Sequence, residues 1–161
     1  MREIRILNLH RSYRLNARLV KRIVSRTLKF CKGSEGMELE FVFLDNKKIK
    51  ALNKKYKGPD RATDVLSFGI NRREFGLPFC GEIIISLDRA RENSKLFGTE
   101  FNTETVLYIV HGILHLFGYN DLTADQRLRM SARESKILEY LCRKEDLSKV
   151  LTRRQKALFT S

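Results

Sequence analysis

The chain has 161 residues, a formal net charge of +13 and a pI near 10.0, a length that fits one domain with its own core and no need for disulfide or metal staples. The charge favours a polyanionic partner, most simply nucleic acid, with anionic membranes and acidic proteins as the other candidates. No stretch is apolar for long enough to span a membrane, and Cys31, Cys80 and Cys142 are isolated, which excludes a disulfide framework and a Cys-x-x-Cys zinc site.

Residues Arg2 to Leu9 alternate charged and apolar, which predicts an opening strand and lacks the continuous apolar region of a signal peptide, so a cytoplasmic location is expected. From Asn16, a candidate N-cap, the spacing of Leu19, Val20, Ile23, Val24, Thr27 and Leu28 predicts an amphipathic helix ending before Gly33. Its outer face is basic, with Arg18, Lys21, Arg22, Arg26 and Lys29 open to solvent or to an RNA backbone. Glu38 to Leu44 begins by alternating and becomes continuously apolar, as in a strand entering the middle of a sheet. Asp45 or Asn46 can cap the next helix, whose apolar face is Ile49, Leu52 and Tyr56, with Lys47, Lys48, Lys50, Lys54 and Lys55 on the rest of its surface. After Gly58-Pro59, Thr63 to Phe68 reads as a short strand in which Thr63, Asp64 and Ser67 suggest a site or a turn bond.

Gly69 to Phe79 is expected to be a surface loop leading to a strand over Gly81 to Ser86, followed by a helix starting near Ser86 or Asp88. Asn102 or Thr103 caps a long apolar helix running to about His115, and a last helix from about Thr123 carries Leu128, Ile137, Leu138 and Leu141. Four strands separated by about five helices predict an α/β or α+β layer fold with a single mixed four-stranded sheet. The expected division is one domain over residues 1–145 and a basic C-terminal tail over 146–161.

The stretch His111-Gly-Ile-Leu-His115-Leu-Phe-Gly118-Tyr119-Asn120-Asp121 carries the chemistry. Histidines four apart on a helix share a face one turn apart, so both imidazoles reach one cation. Gly118 can adopt the left-handed conformation that ends a helix and returns Asp121 toward them. Two imidazoles and a carboxylate leave the fourth position of a tetrahedral ion open, as in catalytic rather than structural zinc sites. The metzincin layout His-Glu-x-x-His places a general base after the first histidine, where this chain has Gly112, so proteolysis is disfavoured and the base is left open. The plainer reading makes His111 and His115 buried packing or capping residues, at a desolvation cost unless they find partners. His10 and Asp125 are further candidate ligands.

Three segments together resemble the YbeY family of single-strand-specific endoribonucleases. These are the 111–119 stretch, Asn53-Lys-Lys-Tyr-Lys57 through Thr63-Asp-Val-Leu-Ser-Phe68, and Gly81-Glu-Ile-Ile-Ile-Ser86. The resemblance implies a zinc ion, RNA hydrolysis, a role in ribosomal RNA maturation at the 16S 3′ end and in ribosome quality control, and cytoplasmic association with the small ribosomal subunit. Against the family pattern, Asp121 stands at the third histidine ligand and Lys57 at a phosphate-holding arginine. Ala62 and Gly69 replace prolines, and Glu82 replaces an aspartate. Aspartate ligates zinc; lysine keeps the charge and loses the two-pronged contact.

The expected mechanism has a zinc ion on His111, His115 and Asp121, with His111 and Lys57 as the catalytic positions and Lys57 neutralising charge on phosphorus. A carboxylate in place of an imidazole makes the site less positive and predicts a higher pH optimum. The alternatives are a non-catalytic ribosome-binding factor with a structural metal and a different metal-dependent hydrolase acting on a small substrate. Another divalent ion is compatible with the same donors, and oligomeric state is not legible in the sequence.

Overall fold

The computed structural model describes residues 3–33, 36–56 and 64–155. In chain order the elements are β1 (Glu3–Asn8), β2 (Tyr13–Leu15), α1 (Ala17–Phe30), β3 (Glu38–Leu44), α2 (Asn46–Tyr56), β4 (Val65–Ile70), β5 (Cys80–Ser86), α3 (Leu87–Phe97), α4 (Phe101–Leu116), α5 (Ala124–Lys144) and β6 (Leu151–Arg153). The expected mixed four-stranded sheet is present in the order β1-β3-β5-β4, with β4 antiparallel to β5 and the other pairs parallel. A second sheet, the two-stranded antiparallel ribbon of β2 and β6, was not expected.

The period of β3 explains its sequence. Leu39, Phe41 and Phe43 join Ile83 and Ile85 of β5 in the main core, which α1, α4 and α5 close. Val42 and Leu44, with Ile84 and Leu66, face the other way into a small core capped by Ile49 of α2. The strand is therefore apolar on both faces only where α2 covers it. Further along that outer face the row turns charged, with Arg5, Glu40 and Glu82 in register. Fully burying each large apolar side chain stabilises by about 1.5–3 kcal/mol, so the main core fixes the strand register.

Local signals set most helix starts. Asn16 accepts from the Leu19 N–H, Ser86 from the Arg89 N–H, and Thr123 forms a capping box with Gln126. Asp45 accepts from the Lys48 N–H at the start of α2. The central helix differs: α4 begins after Glu100 with no side-chain cap. Asn102 instead accepts from the Leu151 N–H and pins the ribbon. Tyr56 and Leu128, expected on apolar faces, are exposed. Their neighbours Asn53 and Met130 are buried in their place, which rotates each stripe slightly from the sequence reading. β4 continues through Gly69 and Ile70, residues expected in the loop.

Of the stretch expected as a basic tail, residues 146–155 are described and carry β6. Leu147, Val150 and Leu151 are buried there. Glu145, just after α5, binds Arg22 and Arg26 of α1 at 3.0 Å each, so part of the basic face of α1 is occupied by an internal carboxylate. Among the described residues no helix is long and apolar enough to cross a membrane.

Helix α4 lies between the sheet and α1, α3 and α5, buried on nearly all sides from Glu104 to Leu114. Its approach to the sheet depends on glycine. A Cβ at Gly112 would lie 2.5 Å from Cγ2 of Ile83, and one at Gly81 would lie 2.8 Å from Leu116. Gly81 pairs across the sheet with Gly69, where an added Cβ would also meet Leu116, at 3.2 Å. This glycine pair leaves a notch for the end of α4, which sets where His115 stands.

Candidate metal centre and its cleft

His111 and His115 occupy successive turns at the C-terminal end of α4, with Nε2 atoms 2.9 Å apart. The helix closes on itself: the Gly118 N–H bonds the His115 carbonyl at 3.1 Å and the Tyr119 N–H bonds that of Leu114 at 3.1 Å. Gly118 adopts φ of 90°, a conformation that is costly for residues with a Cβ. The reversal carries Asp121 back so that its Oδ2 lies 3.4 Å from His111 Nε2 and 3.5 Å from His115 Nε2. The three donor atoms all lie within 4.8 Å of one another. Two imidazole nitrogens and one carboxylate oxygen converging in this way fit a divalent cation of the zinc class and leave part of its coordination free.

A fourth residue, absent from the sequence reading, orients the first. Glu134 of α5 lies 3.3 Å from His111 Nδ1, and its side chain is only 14% exposed. Carboxylates in that position fix the imidazole tautomer and aim the other nitrogen at the metal. The signal for Glu134 was its spacing: Met130, Glu134, Ile137 and Leu141 fall on one stripe of α5, and a carboxylate on a buried stripe needs a partner.

The two imidazoles diverge electrostatically. Burial pulls His111 down, but the hydrogen bond and charge of Glu134, with Asp121 and Asp64, outweigh it and leave the group above the ordinary imidazole value. His115 is lowered, first by burial and then by the neighbouring His111, against the pull of Asp121.

The triad stands in a cleft of about 620 Å³ whose other walls include Asn53, Asp64, Val65, Ser67, Gly69 and Phe79. Asp64 and Ser67, singled out as polar residues in a short strand, thus reach the cleft. Ser67 donates to the Gly112 carbonyl at 3.2 Å, and Asp64 accepts from Arg89. Gly112 occupies the place of the metzincin base, and its contact with Ile83 shows that the packing admits no side chain there. Lys57, Ala62 and Thr63 lie outside the described residues. The third histidine belongs elsewhere: buried His10 donates to Asp88 at 2.8 Å and accepts from the Ser12 N–H, while Asp88 also accepts from the Asn46 N–H at the start of α2. Asp125 is not among the converging donors.

A family model described as Endoribonuclease YbeY matches residues 6–142. A curated relative of that name from Clostridium botulinum (strain Langeland) is 36% identical over 140 residues, covering 74% of this chain and 84% of its own. One from Bacillus thuringiensis (strain Al Hakam) is 33% identical over 130 residues, covering 75% and 83%. Among solved structures, the solution structure of a Thermotoga maritima protein aligns with a TM-score of 0.60 at 24% identity, covering 98% of this chain and 99% of that one, a likeness of fold.

Proposed function

This chain belongs to the YbeY family of endoribonucleases, and from that premise we propose that it is a zinc-dependent, single-strand-specific endoribonuclease of the cytoplasm. In this reading it matures the 3′ end of 16S ribosomal RNA and serves ribosome quality control on the small subunit. The observation that carries the chemistry is the convergence of His111, His115 and Asp121 on the wall of an open cleft. A net charge of +13 supports a polyanionic substrate.

His111, His115 and Asp121 would hold the ion, and Glu134 keeps His111 in the tautomer that presents Nε2. The chemistry a bound divalent ion supplies in such a site is Lewis-acid polarisation of a phosphodiester oxygen or of water in the open position. Lys57 follows Asn53, a residue of the cleft, by four positions in sequence. We assign it the neutralisation of charge developing on the scissile phosphate. The cleft excludes a base at position 112, so the proton from the attacking oxygen must leave through another group or through solvent.

The test is elemental analysis of the purified protein beside H115A and D121A, with cleavage of single-stranded and duplex RNA measured on the same preparations. Near-equimolar zinc in the native protein, lost in both variants together with single-strand cleavage, is the expected result. Cleavage retained in metal-free H115A would overturn the metal reading. K57A should keep its metal and lose about 10²–10³-fold in rate, the scale of removing one charge-stabilising group.

A further inference from the structure

A second cavity, of about 260 Å³, opens behind the metal loop, lined by Phe117, Gly118, Tyr119, Asn120, Gln126 and Arg129. Asn120 also lines the metal cleft, so this residue stands at the boundary between the two spaces. The polar side chains of the smaller cavity are donors or amides. Gln126 uses its Oε1 to accept from the Leu122 and Thr123 N–H groups at 3.0 and 3.1 Å, which leaves its amide NH2 to donate. Arg127, two residues from Arg129, is committed to the loop, donating to the Leu122 carbonyl at 3.2 Å. Arg129 is exposed, and among the described residues its guanidinium has no hydrogen-bond or ion-pair partner. No carboxylate lines the cavity.

An unpaired guanidinium beside amide donors, with Phe117 and Tyr119 also in the lining, matches a phosphodiester and the sugar or base attached to it. The volume is below the roughly 300–1,000 Å³ of drug-sized ligand pockets, a scale suited to a single nucleotide unit. We propose that this cavity is a second phosphate site, in which Arg129, helped by Gln126 and Asn120, holds a phosphodiester of the strand whose neighbouring phosphate lies in the metal cleft. The proposal rests on the RNA-cleavage reading. It gives the cleft a direction: the strand crosses over Asn120, from the triad toward the first turns of α5. Arginine supplies a planar fork that lysine does not reproduce.

The experiment measures binding of a fluorescent single-stranded RNA to the metal-loaded full chain by anisotropy, across a salt series, for the native protein, R129A and R129K. Cleavage is followed in parallel. R129A should bind about tenfold more weakly, the scale of one charge-assisted contact. Its log K against log salt should flatten by about 0.7, one phosphate contact on a single strand. R129K should keep the slope and recover only part of the affinity. In a series of RNAs carrying one neutral methylphosphonate linkage at successive positions, one position should weaken binding to the native protein and leave R129A indifferent. An R129A slope equal to the native one, or an equal methylphosphonate penalty in both proteins, would overturn the site. Native protein that binds RNA with an Arg129-dependent slope but never cleaves it would refute the nuclease reading and leave the phosphate site standing. Cleavage with no Arg129 dependence of binding would do the reverse.

Discussion

His111 can present Nε2 to a cation only while its other nitrogen is occupied, and the structure gives that task to Glu134 at 3.3 Å. E134Q retains the shape of the side chain and removes its charge, so zinc affinity should fall about 10–100-fold, the usual effect of removing such a partner. Competition against a chelator of known affinity measures it, with circular dichroism as the check on folding. The same residue controls acid sensitivity, because protons and the ion compete for the same ring nitrogen. Against the lowering effect of burial, Glu134 and Asp121 keep His111 above the ordinary imidazole value. The apparent zinc affinity of the native site should therefore begin to fall, on acidification, at a pH above that value. In E134Q this acid limb should move to lower pH, even as affinity at high pH drops; a limb that stayed in place would show that Glu134 does not set the protonation of His111. Much of the triad was legible in the sequence, because i, i+4 spacing and a glycine turn are local features. Glu134 lies 23 positions away and is joined to the site by α4–α5 packing, so only its place on a buried stripe betrayed it.

The loop that delivers Asp121 is held at its far end by the first turn of α5. Thr123 accepts from the Gln126 N–H, and Gln126 accepts in return from the N–H groups of Leu122 and Thr123. T123A breaks this box and should cost about 1 kcal/mol, read as a fall in thermal midpoint of about 2–4 °C for a domain of this size. Because the loop starts from Gly118 and ends in that cap, the variant should also bind zinc more weakly; unchanged affinity would mean that the Gly118 turn alone places Asp121. The elements themselves were readable wherever the signal was local. Asn16 and Thr123 announced their helices, and the change from alternating to continuous apolar residues in Glu38–Leu44 marks where α2 covers the second face of the sheet. The ribbon of β2 and β6 was not readable, since two strands of three residues each hold no usable period and pair across more than 130 positions. The start of α4 was misplaced for a related reason: Asn102 has the chemistry of a cap, but its carbonyl oxygen is taken by Leu151.

At the scale of the whole molecule, the ion would add a further tie to parts already linked by packing and by the polar contacts of His111, Asp121 and Glu134: the end of α4, the loop to Asp121 and the middle of α5. A ligand that binds the folded chain and not the unfolded one adds RT ln(1 + [L]/Kd), about 2.7 kcal/mol at a hundredfold excess over Kd. With about 2–4 °C of thermal midpoint per kcal/mol in a domain of this length, stripping the metal with a chelator should lower the midpoint by roughly 5–11 °C. The loss should be reversed by adding zinc. H115A, lacking one donor, should melt at nearly the same temperature with and without chelator. The core does not depend on the ion, because the sheet, α1 and α4 bury a continuous apolar cluster of their own. The stripped protein should therefore unfold cooperatively rather than lose its fold. A native midpoint indifferent to chelator would mean that the three donors converge without holding a cation and that His111 and His115 are partners of Asp121 and Glu134 only. A large shift together with undiminished RNA cleavage after stripping would keep the metal as a staple and move the chemistry elsewhere in the cleft.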